Sequence, residues 1–399
     1  MKTLRYGVVG LGNMGKPHAK DIVAAKSKVF SLTAVCDINP DKAELAKELG
    51  VPFFEDAEAM IDSGLIDAII IATPHYWHAP IAVYAARKGV HVLCEKPLSS
   101  SVGPARAMIA ECKKNKVALG VVLHHRTRKI MQKMHKLATD GSLGNVFHVQ
   151  MVCSNWFRSQ NYYDSGAWRG TWDGEGGGVL INQAPHSLDL FQWIGGMPKR
   201  MTAVIDTRAH DIEVEDTANI ICEYGDGKVG YIYATTAEYP GKEEIILSAD
   251  KGTLVWDGKM LKLGKIKMPL PQFIAKAASF GHKQQSVEWK DIPVEETGFK
   301  HVIVISAFAD HIVKGKPFPY ATGELAINEL ELSNAAYLSG YTGKPVELPV
   351  DADAMEKLLD KLVRERSTGR GGDMRAKANK RLKQLLAADK TTKKAKSKK

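Results

Sequence analysis

Tyr6-Gly7-Val8-Val9-Gly10-Leu11-Gly12-Asn13-Met14-Gly15 carries a short apolar run straight into a turn with glycines at GxGxxG spacing. That spacing recurs by chance, but between a strand and a helix it has a mechanical reading. Gly10 permits the tight turn, Gly12 lets backbone come close to a pyrophosphate, and Gly15 lets the helix pack on the strand. Asn13 and Met14 lie in the same turn, where the N-terminus of the helix offers free N–H groups to a phosphate. Asp37 follows 22 residues after Gly15, at the end of the next apolar run. A carboxylate there accepts hydrogen bonds from ribose hydroxyls and repels a 2′-phosphate. Ile38 comes next rather than an arginine, so NAD is the expected cofactor, with NADP second because Lys42 is near.

Outward from this turn, short apolar runs alternate with helical patterns, the rhythm of a parallel sheet with crossover helices. The expected strands are Arg5–Gly10, Ser31–Asp37, Ala68–Ala72, His91–Cys94 and Ala118–Leu123. Beyond them period-two alternation takes over, at Val146–Cys153, Arg200–Asp206, Ala218–Tyr224, Val229–Thr236, Glu244–Ala249 and Thr253–Trp256. One helix is expected from Pro185 to Trp193, ended by Gly195-Gly196, and two more over Phe299–Lys314 and Thr322–Ser339, the last capped by Thr322. The fold class is therefore α/β: an N-terminal Rossmann doubly wound parallel sheet, then an α+β domain with a largely antiparallel open sheet. The expected divisions are residues 1–123 for dinucleotide binding, 124–349 for substrate binding and oligomerisation, and 350–399 as a basic tail. That tail is expected to be helical over Met355–Arg366 and Met374–Ala388, then disordered through Lys393–Lys399.

Carboxyl ends of strands are where doubly wound sheets place ligands. Thr73, Pro74, His75 and His78 follow the Ala68–Ala72 strand and are expected to edge the cofactor. Glu95-Lys96-Pro97 follows His91–Cys94, which sets Glu95 and Lys96 beside the nicotinamide. Removing hydride from a carbinol carbon also requires the hydroxyl proton to leave, so a base must lie within reach. Lys96, with its pKa lowered by a cationic ring and a histidine nearby, suits that work. His186 stands near the start of a helix, behind three glycines read as leaving room for a ligand. The preceding segment holds Trp156, Phe157, Arg158, Tyr162, Tyr163, Asp164, Trp168, Arg169 and Trp172, rings and polar groups suited to the two faces of a sugar. His124 and Arg126 follow the Ala118–Leu123 strand and are also candidates for the cleft. His75 and His78 lack a third ligand and the cysteines form no CxxC, so no metal is expected.

Together Gly10–Gly15, Glu95-Lys96-Pro97 and Gly176-Gly177-Gly178-Val179-Leu180-Ile181-Asn182-Gln183-Ala184-Pro185-His186 resemble the glucose–fructose oxidoreductase and inositol dehydrogenase family, over residues 4 to 348. The resemblance implies catalytic roles for Lys96 and His186 beside the nicotinamide C4 and the reacting carbinol. It sends Trp168 and Arg169 towards the cofactor, and Trp156, Arg158, Tyr162, Tyr163, Arg126 and Asn182 towards the substrate. Many members carry an aspartate where this chain has Asn182, and an amide orients a hydroxyl but cannot take its proton. The implied activity is oxidation or reduction of a ring secondary alcohol of a pyranose or glycoside, for instance at C3. A cyclitol dehydrogenase is the alternative within the class, and a non-catalytic NAD- or sugar-sensing regulator the alternative outside it.

Composition sets the frame for partners. With 44% hydrophobic and 25% charged residues the chain reads as soluble and globular, with a cytoplasmic location and no membrane partner expected. Five scattered cysteines read as buried free thiols. The net charge of +10 is uneven: Met355–Lys399 carries +11 and the remainder −1. The tail reads as a solvated extension, with weak contact to nucleic acid as the second reading. A homo-oligomer, dimer or tetramer, follows from the resemblance.

Overall fold

The computed structural model describes residues 3–276, 284–296, 298 and 300–396. Its first sheet comprises β1 (Leu4–Val9), β2 (Phe30–Cys36), β3 (Phe53–Phe54), β4 (Ala68–Ile71), β5 (His91–Cys94) and β6 (Leu119–Val121). All six run parallel in the order β3-β2-β1-β4-β5-β6. The order reverses direction between β1 and β4, so the carboxyl ends of those strands open a crevice there. β4 is buried at every residue, as a strand covered by helices on both faces must be.

The second sheet comprises β7 (Val146–Cys153), β8 (Arg200–Asp206), β9 (Thr217–Glu223), β10 (Val229–Thr235), β11 (Glu243–Ala249), β12 (Gly252–Trp256), β13 (Leu261–Ile266), β14 (Val287–Ile292) and β15 (Val346–Glu347). Its order is β14-β13-β12-β11-β7-β10-β9-β8-β15, antiparallel except for the β7–β10 pair. The alternation in β8 to β10 sends one set of residues, Met201, Ala203, Ile220, Cys222 and Ile232 among them, into the core under the helices Pro185–Gly195 and Gly323–Thr342. The opposite face keeps Val204, Ile221, Val229 and Trp289 exposed. β3, β13, β14 and β15 were not expected from the sequence. β3 and β15 have two residues each, too few to show a pattern, β14 is exposed at five of its six positions, and in β13 Gly264 and Lys265 break the alternation that Leu261 and Leu263 begin.

The helix His301–Lys314 packs Val304, Ile305 and Phe308 with Tyr6, Val8 and Leu32 beside the first sheet. Tyr6 OH donates to the Ile305 carbonyl at 3.0 Å, so chain from beyond the second sheet completes the core of the first. Phe299, the expected first residue of this helix, lies outside the described residues. Thr322 does precede the helix Gly323–Thr342, but its side chain makes no capping bond.

The tail departs most from expectation. Residues 352–366 and 374–396 are helices, and the second extends through Lys393 and Lys396, which were expected to be disordered. The run Met374–Lys396 lacks glycine and proline and is rich in alanine, leucine and lysine, all good helix formers. Ser397–Lys399 lie outside the described residues. Nor is the tail a solvated extension, since Leu358, Leu359, Leu362, Leu382 and Leu385 are buried. Arg381 forks onto Glu58 at 2.7 and 2.5 Å, and Arg87 donates to the Leu385 carbonyl. Among the described residues no helix is long and apolar enough to cross a membrane.

Candidate active site

The glycine turn after β1 has the shape its spacing implies. Gly10 adopts φ +84°, and a Cβ on it would lie 2.6 Å from the Ala72 carbonyl oxygen. A Cβ on Gly15 would meet the Gly10 oxygen at 1.7 Å, whereas one on Gly12 meets nothing within 4 Å. Only Gly12 faces open space, where a phosphate can come close to backbone. Asn13 is exposed beside it, and Met14 is half-buried at the head of the helix Gly15–Ala24. Asp37 accepts from Leu11 N at 2.6 Å and Asn39 N at 2.9 Å, which fixes its carboxylate at the end of β2. Ile38, 90% exposed, supplies an apolar surface beside it. After β4, Thr73 keeps a buried hydroxyl with no hydrogen-bond partner, as a residue awaiting a ligand would. These features fit a dinucleotide.

Around the turn, two expected cofactor contacts prove to be braces. His78 is buried with its ring nitrogens 2.9 Å from the carbonyls of Thr73 and Pro97, so it ties the loop after β4 to the loop after β5. Glu95 is buried with its carboxylate 2.6 Å from His18 Nε2 and accepts from Lys96 N. Burial pushes its pKa up, but the His18 contact prevails and holds it down to about 2. Pro74 leads into the short turn carrying His75. His75 Nδ1 meets the Glu175 carbonyl at 2.9 Å and its ring contacts Trp168, which links the first sheet to the loop of the second.

Lys96 reaches from the end of β5 across to the second domain, where Nζ donates to the Asn182 carbonyl at 2.6 Å and approaches its Oδ1 at 3.5 Å. Burial lowers its pKa, against the pull of Glu95, Glu329 and Glu175. His186, one turn further on in the helix Pro185–Gly195, lies in a cluster with His124 and His125. The rings of His125 and His186 stack at 4.3 Å and 5°, and His124 meets both edge-on. Burial keeps all three neutral, lowering His124 to about 3 and the others well below their ordinary value. His186 Nδ1 has no hydrogen-bond partner among the described residues. Nitrogens of the three rings come within 4.8 Å of one another, the spacing of a metal site. An ion must lie near the plane of each ring that binds it, however, and two parallel stacked planes share no such point. This arrangement suits a neutral polar wall rather than coordination.

The aromatic segment divides in two. Tyr162 gathers bonds at its hydroxyl from Arg169 at 2.6 Å, Gln183 at 3.2 Å and Asn182 at 3.3 Å. Arg158 lies over the Tyr162 and Trp156 rings, and Arg169 over Tyr162 and Trp168. Trp156, Arg158, Tyr162, Trp168, Arg169 and Asn182 are thus one connected patch beside Lys96. Tyr163 is not part of it: it is buried, and its hydroxyl bonds Thr236. Trp172 is likewise core, with Nε1 donating to the Glu213 carbonyl. Arg126 is fully committed to Asp189, at 2.7 and 2.6 Å, with both side chains buried, and so has no free fork for a substrate. A guanidinium next to a helix that carries a buried carboxylate pairs with it first.

The glycines before His186 also differ from their reading. A Cβ on Gly178 would sit 1.8 Å from the Glu215 carbonyl oxygen, and one on Gly177 would sit 2.1 Å from Tyr337 OH. They admit close packing, not a ligand. Glu175, unremarked in the sequence, is buried in this loop, accepts from Gly170 N at 2.7 Å and receives the Asn182 amide. Burial pushes its pKa up to about 7. A lone carboxylate among glycines, in Gly174-Glu175-Gly176, was the signal available for it. For His125 the signal was the pair His124-His125.

Residues 4–123 match the oxidoreductase family described by its NAD-binding Rossmann fold, and residues 131–255 match the GFO/IDH/MocA C-terminal domain. The chain is similar to the rhizopine catabolism protein MocA of Rhizobium meliloti, 29% identical over 237 residues that cover 58% of this chain and 71% of that one. It is similar over a longer span to the D-glucoside 3-dehydrogenase of Escherichia coli K12, 25% identical over 364 residues, covering 86% of this chain and 97% of the relative. Of solved structures, the WlbA dehydrogenase from Bordetella pertussis, in complex with NADH and UDP-GlcNAcA, superposes with a TM-score of 0.76 at 27% identity. That match covers 88% of this chain and 99% of the other.

Proposed function

The chain belongs to the GFO/IDH/MocA family of oxidoreductases, and we propose that it transfers hydride between NAD and a ring secondary alcohol of a pyranose or glycoside. Bound NAD supplies the nicotinamide C4 as hydride acceptor or donor. The observation that carries the reading is the Lys96 amine, which leaves the NAD-binding sheet and is held on Asn182, beside His186, by a 2.6 Å bond to the second domain. A half-buried amine with a lowered pKa takes the hydroxyl proton as the carbinol C–H bond breaks. His186, neutral and with Nδ1 unpartnered, accepts or donates one hydrogen bond at the same oxygen. Trp156, Arg158 and Tyr162 offer ring faces and donors for the sugar. Asp37 and the exposed Ile38 favour NAD over NADP.

The test is NADH formation with a panel of glycosides, free hexoses and inositols, with mass spectrometry of the products. Loss of two hydrogens from a glycoside, reduced by roughly 10²- to 10⁴-fold in Lys96→Ala, is the expected result. Oxidation of inositols alone would move the substrate to the cyclitols. NAD binding without turnover of any of them would favour a sensor. We further propose that copies of the chain assemble through the open face of the second sheet, where Val204, Ile221, Val229 and Trp289 lie exposed. Light scattering on Ile221→Lys, expected to show a smaller particle than wild type, checks it.

A further inference from the structure

Lys96 and Glu175 come from different domains and do not touch, yet one residue, Asn182, joins them through its backbone carbonyl and its side-chain amide. Asn182 faces Lys96 Nζ with its oxygens, O at 2.6 Å and Oδ1 at 3.5 Å, and donates from Nδ2 to Glu175 Oε1. The other carboxyl oxygen, Oε2, is held by Gly170 N at 2.7 Å, and the Glu175 carbonyl meets His75 Nδ1 at 2.9 Å. An amide has one accepting and one donating end, so a donor-only ammonium on one side and an acceptor-only carboxylate on the other fit this orientation. We propose that Glu175 is a positioning residue that sets the charge on Lys96 through the Asn182 amide, so that amine and carboxyl ionise as a coupled pair. This builds on the dehydrogenase reading, in which Lys96 handles the substrate proton.

The chemistry balances. In oxidation the hydroxyl proton passes to the neutral Lys96 amine, the C–H electron pair leaves as hydride to the bound nicotinamide, and the product is the ketone. The ammonium so formed is compensated by the Glu175 carboxylate across the amide, and its proton goes to solvent when product leaves. An ionised carboxylate in direct contact with the amine would hold that proton tightly; one amide further away weakens the hold. Burial places Glu175 at about 7, so its carboxyl titrates in the working range, and burial lowers Lys96 towards it.

Other groups act on both members. Glu175 feels Arg169 and Lys96, which favour its ionised form, and itself raises Tyr163. Lys96 faces Glu95 and Glu329, which favour the ammonium, and Arg158, which opposes it. His75, His124, His125, His186 and His301 feel the Lys96 charge, but burial lowers all five, leaving them mostly neutral at neutral pH. Among these, Glu175 is the carboxylate joined to Lys96 through the hydrogen bonds of a single residue, Asn182.

The experiment follows acetylation of Lys96 by acetic anhydride against pH, by peptide mass spectrometry, with exposed Lys47 as internal standard. Only the neutral amine reacts. In Glu175→Gln the midpoint for Lys96 is expected to fall, so that at neutral pH it acetylates roughly three- to ten-fold faster relative to Lys47 than in wild type. The acid limb of kcat against pH should move to lower pH with it, while a merely structural substitution would lower kcat at every pH alike. Superimposable labelling curves for the two proteins overturn the proposal. If Glu175→Gln does not fold, Glu175→Asp, whose carboxylate falls short of the amide, is expected to show a smaller shift in the same direction, and a wild-type curve there overturns it. A shifted curve with no sugar turned over would uphold the coupling and remove the dehydrogenase reading. Turnover that requires Lys96, with unshifted curves, would do the reverse.

Discussion

Two glycine loops frame the cleft, and they contain glycine for opposite reasons. In Gly10–Gly15 the middle glycine opens onto empty space and the outer two are jammed against backbone. In Gly176–Gly178 each glycine is crowded, by Ser100, Tyr337 and Glu215 respectively. The first loop makes room for something that is not protein. The second packs protein against protein so tightly that a buried carboxylate, Glu215, can satisfy the N–H groups of Gly178 and Leu180. Glycine in a sequence reports that a Cβ is unwelcome, and only the surroundings say what excludes it.

Substitutions should separate the two loops, and the largest effect is expected in the second. Gly178→Ala drives a Cβ into the Glu215 backbone, with a loss of about 4 kcal/mol or more by urea unfolding. A variant of wild-type stability would show that the loop can relax and would erase the contrast.

Next in size is a pH effect from Glu215 itself. Burial raises its pKa from 4.5 to about 7, so between those values the folded chain holds a proton the unfolded chain has lost. Stability from this group is therefore fully present below the unfolded value and disappears as pH rises through about 7, a cost on the order of 3 kcal/mol when complete. Glu215→Gln should accordingly lose less stability than wild type between about pH 5 and about pH 8. Parallel curves would mean that the carboxylate is solvated after all.

The smallest change in stability, and the sharpest contrast, belongs to Gly12→Ala. With nothing within 4 Å of the new Cβ the fold should melt within a degree or so of wild type, while NAD binding weakens roughly 10- to 100-fold by fluorescence titration. Unchanged NAD affinity would place the phosphates elsewhere.

The first loop was legible because its cause is local: strand, turn and helix are consecutive, and Asp37 arrives with the next strand. The second is not legible in that way, because its neighbours, Glu215 and Tyr337, are remote in sequence. The same holds along the site. Lys96 and His186 could be found from a strand end and a helix start, and Asn182 from the family resemblance, but nothing near Arg126 shows that Asp189 claims it. Tyr163 and Tyr162 are adjacent and equally aromatic, yet one is core and the other is the hub of the polar patch. That difference is a matter of which face of a short helix meets Thr236. The charge of the tail describes its outer surface, while its leucines at helical spacing describe the side that packs.

That packing reaches the cleft. Arg375 N donates to the Asp173 carbonyl at 3.1 Å, Thr368 bonds Glu213 at 2.6 Å, and the first of these partners precedes Glu175 by two residues. In a chain made from its N-terminus, the loop bearing Trp168 and Glu175 is therefore synthesised some 200 residues before its anchor at Arg375. The wall opposite Lys96, like the contacts of Glu58 and Arg87 in the Rossmann half, gains this support only when the helix Met374–Lys396 emerges. Altering the helix Met374–Lys396 is thus an operation on the centre of the molecule.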